Sequence, residues 1–155
     1  MTLPELELTV QPEWLDYNGH MNVAYYVLAF DIATDAVYEQ WHIGEDYVAG
    51  GFSVFTLGMN VDYRGEMFAG ECLRVTTQLV DLDAKRIHYF HQMFHGETGK
   101  LVATNECLCM NVELSTRHSA AFPEAVLAHL QQVLVAHQAL GTPAGFGRQL
   151  AIRRR

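Results

Sequence analysis

Between Trp41 and Phe52 the spacing of apolar residues switches from helical to alternating, and that switch limits the folds open to the chain. From residue 22 to about residue 41, Val23, Tyr26, Val27, Phe30, Ala33, Thr34, Val37 and Trp41 recur at i, i+3, i+4 and i+7. This spacing predicts one buried face of a helix roughly 30 Å long at 1.5 Å per residue. Asp31, Asp35, Glu39 and His42 fall on the opposite side, and Gly44 and Gly50-Gly51 punctuate its end. After the switch, strands are predicted over 52–63, 71–82, 86–95 and 101–113, with Gly58 as a bulge or close-approach point. Leu73, Val75, Thr77 and Leu79 share one face. The connections from 71 to 113 are short, so these strands are antiparallel neighbours. A short strand over 6–10 precedes the long helix. A second helix over 122–139 closes the pattern, with Pro123 in its first turn and Gly141 as its stop. The fold class is therefore α+β: an antiparallel sheet burying one face on a single early helix. Its other face and edges need covering, which favours an oligomer.

The 155 residues suit one domain, drawn here over 1–140 with a tail over 141–155. Half the residues are hydrophobic and 18% are charged, which describes a core-rich globular chain. No apolar run is long enough to span a membrane, and MTLPELELTV lacks the basic and apolar regions of a signal peptide, so a cytoplasmic location is expected. Three cysteines, an odd number, argue against a disulfide framework. Cys107 and Cys109 would lie on one strand face with Cα atoms about 6.6 Å apart, and all three read as unpaired thiols. The net charge of −8 argues against nucleic acid as a partner. It also opposes a polyanionic ligand unless local basic residues offset it; Arg64, Arg74, Lys85, Arg86 and Lys100 all fall in the middle third. The terminal Arg153-Arg154-Arg155 reads as a short disordered basic tail. His91 and His95 would share a strand face but stand about 13 Å apart, and no helical two-histidine motif is present, so no metal is expected. No phosphate-binding or dinucleotide glycine fingerprint appears, and no cofactor is expected.

The segment Asp16-Tyr17-Asn18-Gly19-His20-Met21-Asn22 stands directly before the long helix. One reading is structural: Asn-Gly marks a tight hairpin turn, and Asp, Asn and His near a helix start act as caps. The other is chemical. The first N–H groups of a helix lack partners and carry the positive end of its dipole, so they can hold a developing oxyanion while a nearby carboxylate activates or delivers a nucleophile.

DYNGHMN resembles the Asp-x-x-Gly-His-x-Asn stretch of hotdog-fold acyl-CoA thioesterases of the 4-hydroxybenzoyl-CoA thioesterase-like family. VDYRGEMFAGECLRVTTQLVDL is similar to that family's passage from the second strand to the third. The resemblance covers about residues 5–113. It implies a curved antiparallel sheet wrapped around one long helix, and homodimers or homotetramers with sites between subunits in which strand 52–64 faces the partner's Asp16. It places Asp16 as the catalytic carboxylate, Gly19-His20 as the Gly-His pair, Asn22 at the helix start, and the backbone N–H of Val23 as the donor that polarises the thioester carbonyl. Two positions depart from the pattern: Val23 stands where asparagine is frequent, and Trp14 where many members carry a second aspartate. The form PEWLDYNGHM resembles betainyl-CoA thioesterases within the family. Trp14, Tyr17, Tyr25 and Tyr26 would then offer aromatic faces to a quaternary ammonium acyl group, a contact worth about 0.5–2 kcal/mol.

The expected reaction is hydrolysis of an acyl-CoA thioester to free acid and CoA. Asp16 attacks the carbonyl or activates water, and His20 orients Asp16, holds a water or caps the turn. Tyr17, Gly19 and Tyr25 are candidate substrate contacts, and Arg64, following a strand at a turn, is a candidate for a CoA phosphate. The alternatives are a non-catalytic module binding acyl-CoA or another small ligand, and a hydratase or dehydratase of the same fold. The latter usually needs a histidine with a carboxylate on the long helix, whereas Asp31 and Asp35 fall on its polar face.

Overall fold

The computed structural model describes residues 2–154. Strand β1 (Glu5–Thr9) leads through a single 3-10 turn (Pro12–Trp14) to helix α1 (Val23–Gln40). A short helix α2 (Glu45–Ala49) follows, then β2 (Phe52–Tyr63), β3 (Cys72–Leu82), β4 (Arg86–His95), β5 (Leu101–Glu113), the two-residue β6 (His118–Ser119) and α3 (Glu124–Gln138). The antiparallel sheet runs in the order β1-β3-β4-β5-β2, with β6 paired to the end of β5. The register shifts between Thr56 and Gly58, so the bulge expected at Gly58 is present.

Helix α1 buries Tyr26, Ala29, Phe30, Ala33, Thr34 and Val37. On the sheet, Leu73, Val75, Thr77, Leu79, Ile87, Tyr89, His91, Met93, Cys107 and Cys109 are buried. Each large apolar side chain removed from water in this way contributes about 1.5–3 kcal/mol. One expectation fails: Val23, placed on the buried stripe by its spacing, is 54% exposed. It occupies the first helical position, before the helix has turned its face onto the sheet, and Ala29 joins the stripe instead.

The two layers are also bolted by hydrogen bonds. The Thr34 hydroxyl donates to the Phe30 carbonyl (3.0 Å), so its oxygen accepts from His91 Nε2 (2.9 Å). His91 Nδ1 then accepts from the Thr77 hydroxyl (2.8 Å), and the ring stacks on Phe30. Burial drives the His91 pKa down to about 3, so the ring is neutral. Burial likewise pushes the Cys107 thiol up to about 12, which leaves it without nucleophilic character. All three cysteines are free.

Glu39 explains α2: its Oε1 accepts the Glu45 N–H (2.7 Å) and caps that helix from the end of α1. Because β2 lies at one edge while β3 lies beyond β5 and β4, residues 64–71 must cross the end of the sheet. This crossing passes the N-terminus of α1 and plugs it with the buried Met67. Among the described residues, no helix is long and apolar enough to cross a membrane.

Candidate active site

The turn before α1 is closed by its own backbone. The Gly19 N–H donates to the Asp16 carbonyl (3.0 Å), and the Asp16 N–H donates to the His20 carbonyl (3.1 Å). Leu15 and Met21 form an isolated antiparallel bridge beneath it. Gly19 has φ +83°, the left-handed region that favours glycine. The hairpin reading of Asn-Gly is therefore right as geometry. The turn is pinned on both flanks, by the Asn22 N–H on the Trp14 carbonyl (2.9 Å) and the Met21 N–H on the Met67 carbonyl (2.7 Å).

This turn sets the Asp16 carboxylate beside the helix start. Oδ1 accepts the Asn18 N–H (2.8 Å), while Oδ2 accepts from Asn22 Nδ2 (3.4 Å). The other end of the same Asn22 side chain is the N-cap of α1, with Oδ1 accepting the Ala24 N–H (3.0 Å). The Asn22 carbonyl takes the Tyr25 N–H (3.0 Å), and the N–H of Val23 has no acceptor among the described residues. Asp16 forms no ion pair among the described residues. Asp16, Asn22 and the Val23 amide are thus brought together, in contact order carboxylate, amide side chain, helix N-terminus.

His20 is not aimed at Asp16. Its Nδ1 donates to the Met21 carbonyl (3.0 Å) and its Nε2 faces Glu66 Oε1 at 3.9 Å. Its backbone carbonyl, rather than its ring, holds the Asp16 amide. Tyr17 is 99% exposed at the tip of the turn. Tyr25 stacks on Trp14 with centroids 5.8 Å apart and planes 12° apart. Tyr26, grouped with those aromatics on sequence spacing, belongs instead to the core: it is buried, and its hydroxyl donates to the Gly65 carbonyl (2.9 Å). Arg64 stands at the start of the crossing segment with its Nη2 3.9 Å from Asp62 Oδ2.

With this geometry in place, the sequence matches the thioesterase-like superfamily over residues 10–130. The chain belongs to that superfamily. It is a thioesterase with the hotdog fold. It is 39% identical to the betainyl-CoA thioesterase of Pseudomonas aeruginosa, over 97% of this chain and 95% of that protein. It is also 35% identical to an L-carnitine dehydrogenase/betainyl-CoA thioesterase of a Rhizobium species, covering 96% of this chain but 30% of that longer protein. Among solved structures, a hypothetical protein of Staphylococcus aureus in complex with CoA superposes with a TM-score of 0.90 at 28% identity, covering 97% of this chain and 96% of that one. Membership of this superfamily favours the hydrolase over the hydratase and the non-catalytic binding module.

Two groups of this thioesterase's site neighbourhood escape sequence spacing. The Tyr63 hydroxyl donates to the Val23 carbonyl (3.0 Å), tying the end of β2 to the first residue of α1. The signal was an aromatic with a polar tip at the inward-facing end of a strand; nothing in the spacing says that it meets α1. The second group is Arg148, whose Nη2 donates to Asp62 Oδ1 (2.6 Å) across 86 residues. Such a contact leaves no local trace in sequence.

Proposed function

We propose that this thioesterase hydrolyses an acyl-CoA thioester, with Asp16 as the attacking or proton-accepting carboxylate. The Val23 N–H, at the positive end of the α1 dipole, receives the carbonyl oxygen. One observation carries this reading: the Asn22 side chain touches Asp16 at one end and caps α1 at the other. Acid and oxyanion donor are thereby fixed relative to each other by a single residue. Negative charge developing on the substrate oxygen meets an unpaired amide, while Asp16 acts on the opposite side of the same carbon. Tyr17, Gly19 and Tyr25 border the approach, and Arg64 faces the CoA phosphates.

The site works between two copies of the chain. Among the described residues β2 is an edge strand with β5 as its sole partner, and Phe55, Leu57 and Met59 on it are exposed. Such an edge calls for a partner strand, and antiparallel pairing of β2 with its own copy covers it. The Asp16 turn lies at the Tyr63 end of β2. A cavity of about 370 Å³ lined by Asp35, Glu39, Val48, Ser53 and Val54 lies at the other end. Self-pairing about the middle of β2 sets the cavity of one copy beside the Asp16 turn of the other, in a homodimer or in a tetramer built from such dimers.

The acyl group is cationic, of the betaine type. The Asp35 carboxyl is raised by partial burial and by the charges of Asp31 and Glu39, so this cavity favours a positive guest. The Trp14–Tyr25 stack adds aromatic faces at the turn. The named activity of the Pseudomonas aeruginosa relative supports the same choice. A CoA substrate and free cysteines suit a cytoplasmic setting.

Release of free thiol from a panel of acyl-CoAs, including betainyl-CoA, tests the reading. Asp16→Asn is expected to lower kcat at least a hundredfold, the loss usual when a general base is removed, with folding retained. Near-normal turnover in that variant overturns the assignment of Asp16. Preference for a neutral acyl group over the betainyl one overturns the cationic substrate class.

A further inference from the structure

We propose that the C-terminal arginines form an arm that binds the phosphates of the CoA portion of the substrate, an inference that rests on the thioester reading above. The chain does not leave the domain after α3. The Gly141 carbonyl accepts from Gln78 Nε2 (2.7 Å), and the Phe146 ring packs against His88 and Phe90 at centroid distances of 4.8 and 6.0 Å. The Gly147 N–H donates to Glu106 Oε1 (2.6 Å), and the Arg148 carbonyl accepts from Asn60 Nδ2 (2.7 Å). With Arg148 also on Asp62, the segment is held across the outer face of the sheet as far as the end of β2.

That anchor lies next to the mouth of the site. Arg64 shares Asp62 with Arg148. The residues that follow Arg64 touch the helix start: the Gly65 carbonyl takes the Tyr26 hydroxyl, Glu66 faces His20, and the Met67 carbonyl takes the Met21 N–H. A substrate with its carbonyl on Val23 therefore leads its nucleotide end out over this crossing.

Charge decides what the arm is for. The chain carries a net charge of −8, and Asp16 and Glu66 lie beside the helix start. Asp62, only 8% exposed, already offsets one of the two arginines beside it. The arm supplies the uncompensated positive charge that a phosphate-rich ligand needs there. Arg153 and Arg154 are exposed, and Arg155, outside the described residues, follows them. From Arg148 to Arg153 the chain reaches about 17 Å when extended, enough to fold back over the crossing. Pinning the segment at Arg148 keeps the charges of Arg153 and Arg154 at high local concentration beside the crossing.

The test compares the wild type with R153S/R154S/R155S on an acyl-CoA, its dephospho-CoA analogue and the same acyl group on N-acetylcysteamine, which has no phosphate. Three solvated ion pairs, each in the lower half of the range for exposed pairs, combine to about a tenfold rise in KM for the acyl-CoA, with kcat within about twofold. The rise shrinks at about 0.5 M salt, where exposed charges are screened. KM for the N-acetylcysteamine thioester stays the same. An unchanged KM for the acyl-CoA overturns the proposal, as does an equal rise on the phosphate-free thioester. If the wild type cleaves none of the three, the thioester reading fails on its own. Calorimetric binding of CoA to the two proteins then still decides the arm, equal affinity refuting it.

Discussion

Acidifying the protein from pH 7 to pH 5 should cost it about 2 kcal/mol of folding stability through His91 alone. The ring is fully buried between α1 and the sheet, with Nε2 donating to Thr34 and Nδ1 accepting from Thr77. Burial lowers its pKa from 6.5 to about 3. Above pH 6.5 the ring is neutral in both folded and unfolded chains and contributes no pH dependence. Below 6.5 the unfolded chain binds a proton that the folded one refuses until about pH 3. Stability therefore falls with acid at about 1.4 kcal/mol per pH unit across that window.

Urea unfolding of the wild type and His91→Leu at pH 7 and pH 5 measures this term. At pH 7 the variant is less stable by about 1–3 kcal/mol, because the Thr77 hydroxyl loses its buried acceptor while Thr34 keeps the Phe30 carbonyl. Between pH 7 and pH 5 the variant loses about 2 kcal/mol less than the wild type. His137, also lowered by burial, adds acid sensitivity of the same sign but is common to both proteins and cancels. Equal losses in the two proteins, or a His91 ring that NMR shows charged at pH 5, would refute the neutral-bolt account of how α1 is held.

Asn22→Asp keeps an N-cap for α1 but sets a second carboxylate against Asp16 Oδ2, at the 3.4 Å contact now made by the amide. The melting temperature should change little, the cap preference of the two residues being similar, while kcat falls by tenfold or more. A variant with full turnover would show that the Asn22–Asp16 contact is idle. Leu57→Lys puts a charge at the exposed middle of β2. Light scattering should then report monomers, and activity should disappear with the proposed dimer, in which the second copy would supply the acyl cavity. A fully active monomer would place the whole site within one chain.

The parts of the fold that were legible are those whose stability is periodic. β2, β4 and β5 occupy the expected ranges, and α1 starts one residue after the expected position, because alternation and the 3.6-residue repeat reflect burial against one neighbouring layer. What escaped depends on contacts distant in sequence or on single caps. Helix α2 is five residues long and rests on the Glu39 cap, while β6 is a two-residue addition to β5. Val23 shows the limit of spacing: it fits the stripe numerically, yet the helix end has no layer over it. The docking of residues 141–148 runs partly through backbone groups, the Gly147 N–H and the Arg148 carbonyl, and backbone groups are the same in every sequence.

The site itself reconciles two readings that looked like rivals. The tight turn and the proposed chemistry use different atoms of residues 16–23. Closing the turn consumes the Asp16 amide and carbonyl, the Gly19 amide and one carboxylate oxygen. It leaves the second oxygen for Asn22 and spares the Val23 amide. Gly19 makes this division possible. At φ +83° another residue would be strained by about 1 kcal/mol even though a side chain there would meet nothing within 4 Å. The strain would fall on the bond that closes the turn, and so on the direction of Asp16. Glycine is needed at residue 19 for the path of the chain, and Asp16 gains its place beside the helix start as a consequence of that path.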